Sequence, residues 1–159
     1  MFLIYTGFRP SEALELRAEN YVKADNVLVG GAKTAAGKGR RVTISPKIQN
    51  IVDEKVRRGG YLLQNPNGDK WELRAFTDEA FYPCLEQIGI SNPIVDVAGG
   101  VKRHRLTPHS CRHTFATLLK SVTAADADKL KLIGHASSEM LRYYQSTNDD
   151  DLRRITDAI

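Results

Sequence analysis

Cysteine is scarce in this chain of 159 residues: Cys84 and Cys111 are the full complement. Two thiols cannot build a disulfide framework, and they fit a reducing compartment, so a cytoplasmic protein is the expectation. Long apolar runs are missing as well. No stretch approaches the ~20 residues that cross a bilayer, so no membrane partner is expected. The opening MFLIYTGFRP is apolar but short, and it has neither a basic leader nor a small-residue cleavage site, so it does not read as a secretory signal. There is no internal repeat and no low-complexity tract. The most informative absence is local: no acid occurs between Asp25 and Asp53, or between Asp96 and Asp126. The first gap contains Lys33, Lys38, Arg40, Arg41 and Lys47; the second contains Lys102, Arg103, Arg105, Arg112 and Lys120. The whole chain carries a net charge of only +4, so the distribution says more than the total. Two basic, acid-free stretches can either form one electropositive surface, with nucleic acid as the first partner to consider, or remain two solvated loops.

With 42% hydrophobic and 26% charged residues the chain is long and apolar enough for one folded domain. Phe2 to Tyr5 read as the tail of a helix capped by Gly7, so the chain is expected to begin inside a larger domain. A second helix follows, with Ser11 as its expected cap beside Pro10 and with Ala13, Leu14 and Leu16 forming an apolar stripe through Arg17. Tyr21-Val22, Val27 to Val29 and Arg41 to Ile44 read as three short antiparallel strands, the last two joined by a glycine-containing basic hairpin from Gly30 to Gly39. Pro46 opens a helix with Ile48, Ile51, Val52 and Val56 on one face, ended by Gly59-Gly60. Further helices are expected over Arg74 to Ile88, Pro108 to Leu119, Ala125 to Ile133, Ser137 to Tyr144 and Asp149 to Ile159. The stretch from Ile90 to Leu106, with Pro93 and Gly99-Gly100, reads as loop. The fold class is α+β, mostly α-helical with a small antiparallel three-stranded sheet.

His109 and His113 stand at helical i,i+4 spacing, which can hold zinc. Arg112 lies between them, no glutamate does, and neither cysteine has a ligand-spaced partner, so no metal is expected here. An anion suits the same residues better. Arg112 keeps its charge and offers a donor fork matched to phosphate, and His109 stands at a helix start, where free N–H groups favour negative charge. A histidine there can also move a proton near neutral pH. His113 is expected to pack behind them. Arg9, directly after the first helix end, is either a surface partner of Glu12 or a second arginine of the site with Glu12 orienting a neighbouring basic group. Lys33 is either a backbone-phosphate contact or a general acid at the hairpin tip, with Lys38, Arg40 and Arg41 as competing phosphate contacts. Two arginines, a lysine, two histidines (His109, His135) and a tyrosine are together what metal-free phosphodiester transesterification requires. The arginines neutralise a pentavalent phosphorane, the lysine protonates the leaving oxygen and the tyrosine attacks. Free tyrosine titrates near ~10, so it needs a base or a strong positive field to attack at neutral pH.

These blocks resemble the catalytic domain of the tyrosine recombinases, the phage-integrase family. TGFRPSEALEL is similar to the family's first-arginine block and GAKTAAGKGRRVTI to its lysine hairpin. HSCRHTFAT is similar to its His-x-x-Arg-His block, and LIGHAS followed by RYYQ to its Leu-Gly-His box and nucleophile segment. Four blocks in family order cover nearly the whole chain. The resemblance implies that Arg9 and Arg112 clamp the scissile phosphate. It makes Lys33 the general acid for the 5′-hydroxyl and Tyr144 the nucleophile of a 3′-phosphotyrosyl bond, with Tyr143 the alternative beside it. His109 would assist proton transfer at the tyrosine and His135 would hydrogen-bond the phosphate. Glu12 and His113 would support from behind, and Lys38, Arg40, Arg41, Lys102, Arg103 and Arg105 would contact DNA. No cofactor is implied. The expected partner is double-stranded DNA, bound as a homo-tetramer by a full-length protein that adds a core-binding domain before residue 1, with this fragment alone a monomer. Two rival readings are a type IB topoisomerase-like nicking-closing enzyme and a non-catalytic DNA-binding module. The Asp149 to Ile159 helix can pack in cis or on a neighbouring subunit.

Overall fold

The computed structural model describes residues 1–31, 38–97 and 99–134. Helix α1 (Phe2–Thr6) stops at Gly7, which takes a left-handed conformation at φ 59°. A β-carbon there would come within 2.1 Å of the Phe115 ring. Glycine is therefore required twice at this position, for its backbone and for the close approach of the helix that carries Phe115. Helix α2 (Pro10–Glu15) starts with proline in its first turn. Arg9, not Ser11, is its N-cap: Glu12 reaches back to accept from the Arg9 backbone N–H, and Leu16 already leaves the helix at ψ 132°. Ser11 lies inside the first turn. The expected cap is displaced by one turn-closing carboxylate.

Strands β1 (Tyr21–Val22), β2 (Val27–Gly30) and β3 (Arg40–Thr43) form an antiparallel sheet in that order. Leu28 pairs with Val42, and both are buried. Because side chains alternate along a strand, Arg40 shares the inward face with Val42, while Arg41 points out and meets Asp25 at 2.5 Å. The core joins this face to α1, α2 and α3 (Gln49–Arg58) through Phe2, Leu3, Phe8, Leu16, Ile48, Val52 and Leu62. Gly59 ends α3 as expected.

The expected Arg74 to Ile88 helix spans Leu73 to Gln87 and is not uniform. An α-turn α4 (Leu73–Ala75) passes into a π-helical stretch, Phe76–Phe81, and then into α5 (Tyr82–Gln87). Pro83 has no N–H to bond back one turn, and the wider turns fall immediately before it. Ile88 closes α5 and is 61% exposed. The stretch read as loop carries a second antiparallel ladder, β4 (Ile94–Val97) with β5 (Val101–His104), across a turn containing Gly99-Gly100. Its strands are largely exposed on both faces, so burial patterning gave no strand signal. Helix α6 (Pro108–Lys120) begins at Thr107, whose backbone N–H donates to Ser110 Oγ at 3.0 Å. Helix α7 (Asp126–Ile133) ends at Gly134. Phe115, Ala116, Leu119 and Ile133 form a second apolar cluster between α6 and α7. The expected helices at Ser137 to Tyr144 and Asp149 to Ile159 lie outside the described residues. No helix among the described residues is long and apolar enough to cross a membrane.

Candidate active site

The sequence predicts Arg9 and His109 in one site although a hundred residues separate them, and the fold brings them together. Arg9 at the start of α2 and His109 in the first turn of α6 line a cleft of about 630 Å³, with Pro10, Ser11, Thr107 and Pro108 beside them and Leu73, Thr77 and Tyr82 opposite. The positive end of the α6 dipole and an arginine therefore border the same cleft, a combination that favours an anion. Tyr82, which the sequence reading did not select, forms part of that wall; burial, then Asp78, raises its phenol above the ordinary value. It also lies against His104, ring centroids 4.2 Å apart.

Arg9 is held from below by Glu12. Its Nη1 donates to Glu12 Oε1 at 2.9 Å and its backbone N–H to Oε2 at 3.1 Å. Glu12 is only 5% exposed. Its second neighbour is Arg40, whose Nη2 stands 3.6 Å from Oε2. The Glu12 carboxylate thus contacts both arginines, Arg9 through hydrogen bonds and Arg40 at ion-pair distance.

Arg40 corrects the sequence expectation of a DNA contact. It is buried, with its side chain 2% exposed, and lies over the Phe8 ring at 4.3 Å. Its Nη1 donates to the Leu132 carbonyl, and both Nη atoms stand 3.5 Å from the Gly7 carbonyl. Its Nε finds no hydrogen-bond partner among the described residues. Burial first, and then the neighbouring Arg112, pull its pKa down to about 10, against the favourable influence of Glu12. At that value it stays protonated at neutral pH. The signal that could have placed it inside was the alternation Arg40-Arg41-Val42-Thr43, in which Arg40 shares the parity of Val42. By contrast Lys38, Arg41, Lys102, Arg103 and Arg105 are all exposed, as a surface contact requires.

Arg112 lies behind the cleft wall, 1% exposed. Its Nη1 donates to the Gly7 carbonyl and its Nη2 to the Ile133 carbonyl. It is thus tied to the end of α1 and the end of α7 at once, and it shares the Gly7 carbonyl with Arg40. His113 does not pack behind it as expected: it stands on the exposed side of α6, its ring edge-to-face with His109 at 5.2 Å. The position follows from helix geometry, since His109 and His113 share one face and Arg112 lies on the next. Burial, then Arg112, lowers the His113 pKa below its ordinary 6.5. Among the described residues no three His, Cys, Asp or Glu side chains gather at metal-holding distance. Lys33, His135, Tyr143 and Tyr144 lie outside the described residues.

Two arginines on the Glu12 carboxylate, with Arg112 as the electrostatic neighbour of Arg40, leave a positive interior beside a cleft that carries a histidine and a helix start. Comparison with known proteins agrees with that chemistry. A family model described as the phage integrase family matches residues 1–151. Tyrosine recombinase XerS of Streptococcus mutans is 26% identical over 170 residues, covering 99% of this chain and 43% of the relative. Tyrosine recombinase XerH of Campylobacter jejuni is 23% identical over 156 residues, covering 95% of this chain and 41% of the relative. The chain therefore spans less than half the length of these relatives. Among solved structures, the Tn1549 transposon integrase in complex with circular intermediate DNA superposes with a TM-score of 0.70 at 17% identity, over 97% of this chain and 54% of that one. With a matching family model over almost its full length, and a fold shared with recombinase catalytic domains, the chain belongs to the phage integrase family of tyrosine recombinases.

Proposed function

We propose that this chain is the catalytic part of a site-specific recombinase that cuts and rejoins duplex DNA through a 3′-phosphotyrosyl intermediate. The observation that carries the reading is the cleft in which Arg9 and the α6 start with His109 converge, backed by the buried cations Arg40 and Arg112. In this scheme the Tyr144 hydroxyl oxygen attacks the scissile phosphorus, forming the phosphotyrosyl bond as the bond from phosphorus to the 5′-oxygen breaks. The tyrosine proton leaves toward His109, and Lys33 donates a proton to the departing 5′-oxygen. Arg9, Arg112 and His135 neutralise the charge that builds on the non-bridging oxygens. A 5′-hydroxyl from a second strand then reverses the steps, so bond energy is kept and neither a nucleotide nor a metal enters the scheme. Removing one preorganised donor of this kind costs on the order of 10²–10³ in rate.

Arg112 is at present held by main-chain carbonyls. For it to reach phosphate, the Gly7 and Ile133 contacts have to share or release its fork. Double-stranded DNA is the proposed substrate, in keeping with the DNA-bound Tn1549 integrase. Four copies on two DNA sites is the assembly the family resemblance implies for a full-length protein. The test is a suicide-substrate assay on nicked duplex DNA, comparing the native full-length protein with Tyr144→Phe. The expected result is a covalent protein–DNA adduct that disappears in the variant. An adduct that survives in Tyr144→Phe moves the nucleophile to Tyr143, and no adduct from native protein ends the enzymatic reading.

A further inference from the structure

Arg40 has no role in the scheme above, yet it touches the supports of both arginines that do. Glu12, which holds Arg9 by two hydrogen bonds, has its Oε2 3.6 Å from Arg40 Nη2. The Gly7 carbonyl, which accepts from Arg112 Nη1, also lies 3.5 Å from both Arg40 Nη atoms. At the end of α7, Arg40 takes the Leu132 carbonyl and Arg112 takes the next one, Ile133. One guanidinium thus spans the end of α1, the first turn of α2 and the last turn of α7, while its own backbone opens β3 opposite Gly30.

We propose that Arg40 is a positioning residue of the strand-transfer reaction: it sets the placement of Arg9 through Glu12 and of Arg112 through the Gly7 carbonyl. The inference rests on the function proposed above. An apolar side chain of similar length would fill the space over Phe8 without burying a charge. What arginine alone supplies is a planar fork that binds three elements at fixed angles. Its cation, screened little by water at this depth, also adds to the positive field at the cleft. Its pKa of about 10 keeps that charge in place throughout the neutral range.

A merely structural residue and a positioning residue both slow the enzyme when removed, so the test needs a substrate that tells them apart. The native full-length protein, Arg40→Met and Arg40→Lys are compared in single-turnover adduct formation on two nicked duplexes. One carries an ordinary scissile phosphodiester, the other an uncharged methylphosphonate at the same position. The arginine pair matters most when the scissile group is charged. The expected result for Arg40→Met is a loss of about a hundredfold on the phosphodiester, the scale of a small misplacement of catalytic groups, and a rate near native on the methylphosphonate. Arg40→Lys keeps the cation but loses the fork, so it falls between native and Arg40→Met on the phosphodiester only. Should Arg40→Met not fold by circular dichroism, Arg40→Lys decides by the same contrast. Equal losses on both substrates, or no loss on either, overturn the role of Arg40 and leave the proposed function standing. A native protein that forms no adduct on either substrate ends the proposed function and this inference together.

Discussion

The inner end of the three-stranded sheet and the outer β4–β5 ribbon both take their arginines from acid-free sequence, and they use them in opposite ways. At the inner end Arg40 and Arg112 are buried, neighbours in the electrostatic sense, and tied to main-chain carbonyls and Glu12. On the ribbon Lys102, Arg103 and Arg105 are exposed to water. The difference teaches that a basic stretch is not one kind of object. A buried arginine changes geometry and field at a fixed point, whereas an exposed one mainly gathers counter-charge at the surface.

The comparison breaks most visibly at Glu12. Glu12→Ala leaves Arg9 and Arg40 without their shared carboxylate, and one of them is deeply buried. Losing one partner of a buried pair typically costs about 3–5 kcal/mol, which urea unfolding would register as a lower midpoint. If the midpoint moves no more than for a surface substitution, the inner cluster is not the cohesive unit described above.

The ribbon is expected to behave in the contrary way. The triple change Lys102→Ala, Arg103→Ala, Arg105→Ala should alter stability by no more than about 0.5 kcal/mol per site, because these side chains are exposed. If the ribbon lies along DNA backbone, the same change lowers the salt dependence of DNA binding by the full-length protein. The slope of log affinity against log salt should become shallower by about 2–3, near 0.9 for each lost phosphate contact. An unchanged slope would show that the ribbon faces away from DNA.

The smallest effect is expected at His113, which stands between the two regimes: exposed, yet close enough to Arg112 to feel it. Burial and that arginine hold its folded pKa below 6.5. As pH falls through the window beneath 6.5, the unfolded chain takes up a proton that the folded chain resists, so stability declines until the folded value is passed. His113→Gln should flatten that part of the stability–pH curve in thermal melts from pH 7 to about pH 5, while leaving stability above pH 7 unchanged. A curve that keeps its slope in the variant would assign the titration to another group.

Much of the architecture was legible because it is locally encoded. Gly7 and Gly59 end helices, Pro108 stands in a first turn, Pro46 opens a 3-10 turn that leads into α3 at Gln49, and the strand residues around Val42 alternate as a half-buried sheet demands. The missed ribbon did carry a local signal, a Gly-Gly turn shortly after the β-branched run Ile94 to Val97. That signal was outweighed by Pro93 and by the lack of an apolar face. The Ser11 cap failed because Ser11 and Glu12 competed for the same helix start, and the longer carboxylate could reach back to the Arg9 N–H. In the site, residue type and spacing at Arg9, His109 and Arg112 pointed to an anion, and the fold lines one cleft with Arg9 and His109. The burial of Arg40 was written only in its shared parity with Val42, a signal weakened by the identical side chain at Arg41.

By itself, the sequence determined the residue types and their order: the arginines, histidines and lysine, the helix starts, and the alternation that puts Arg40 and Arg41 on opposite faces. Which of those two faces became the interior was decided only when Leu28 and Val42 closed against Phe8 and Leu16. That packing carried Arg40 inward to Glu12, Gly7 and Leu132. The convergence of Arg9 and His109 on one cleft is likewise tertiary, since it depends on α1 meeting α6 where Gly7 lets the Phe115 ring approach. Local pattern specifies direction relative to a strand or helix axis; only long-range burial specifies what that direction meets.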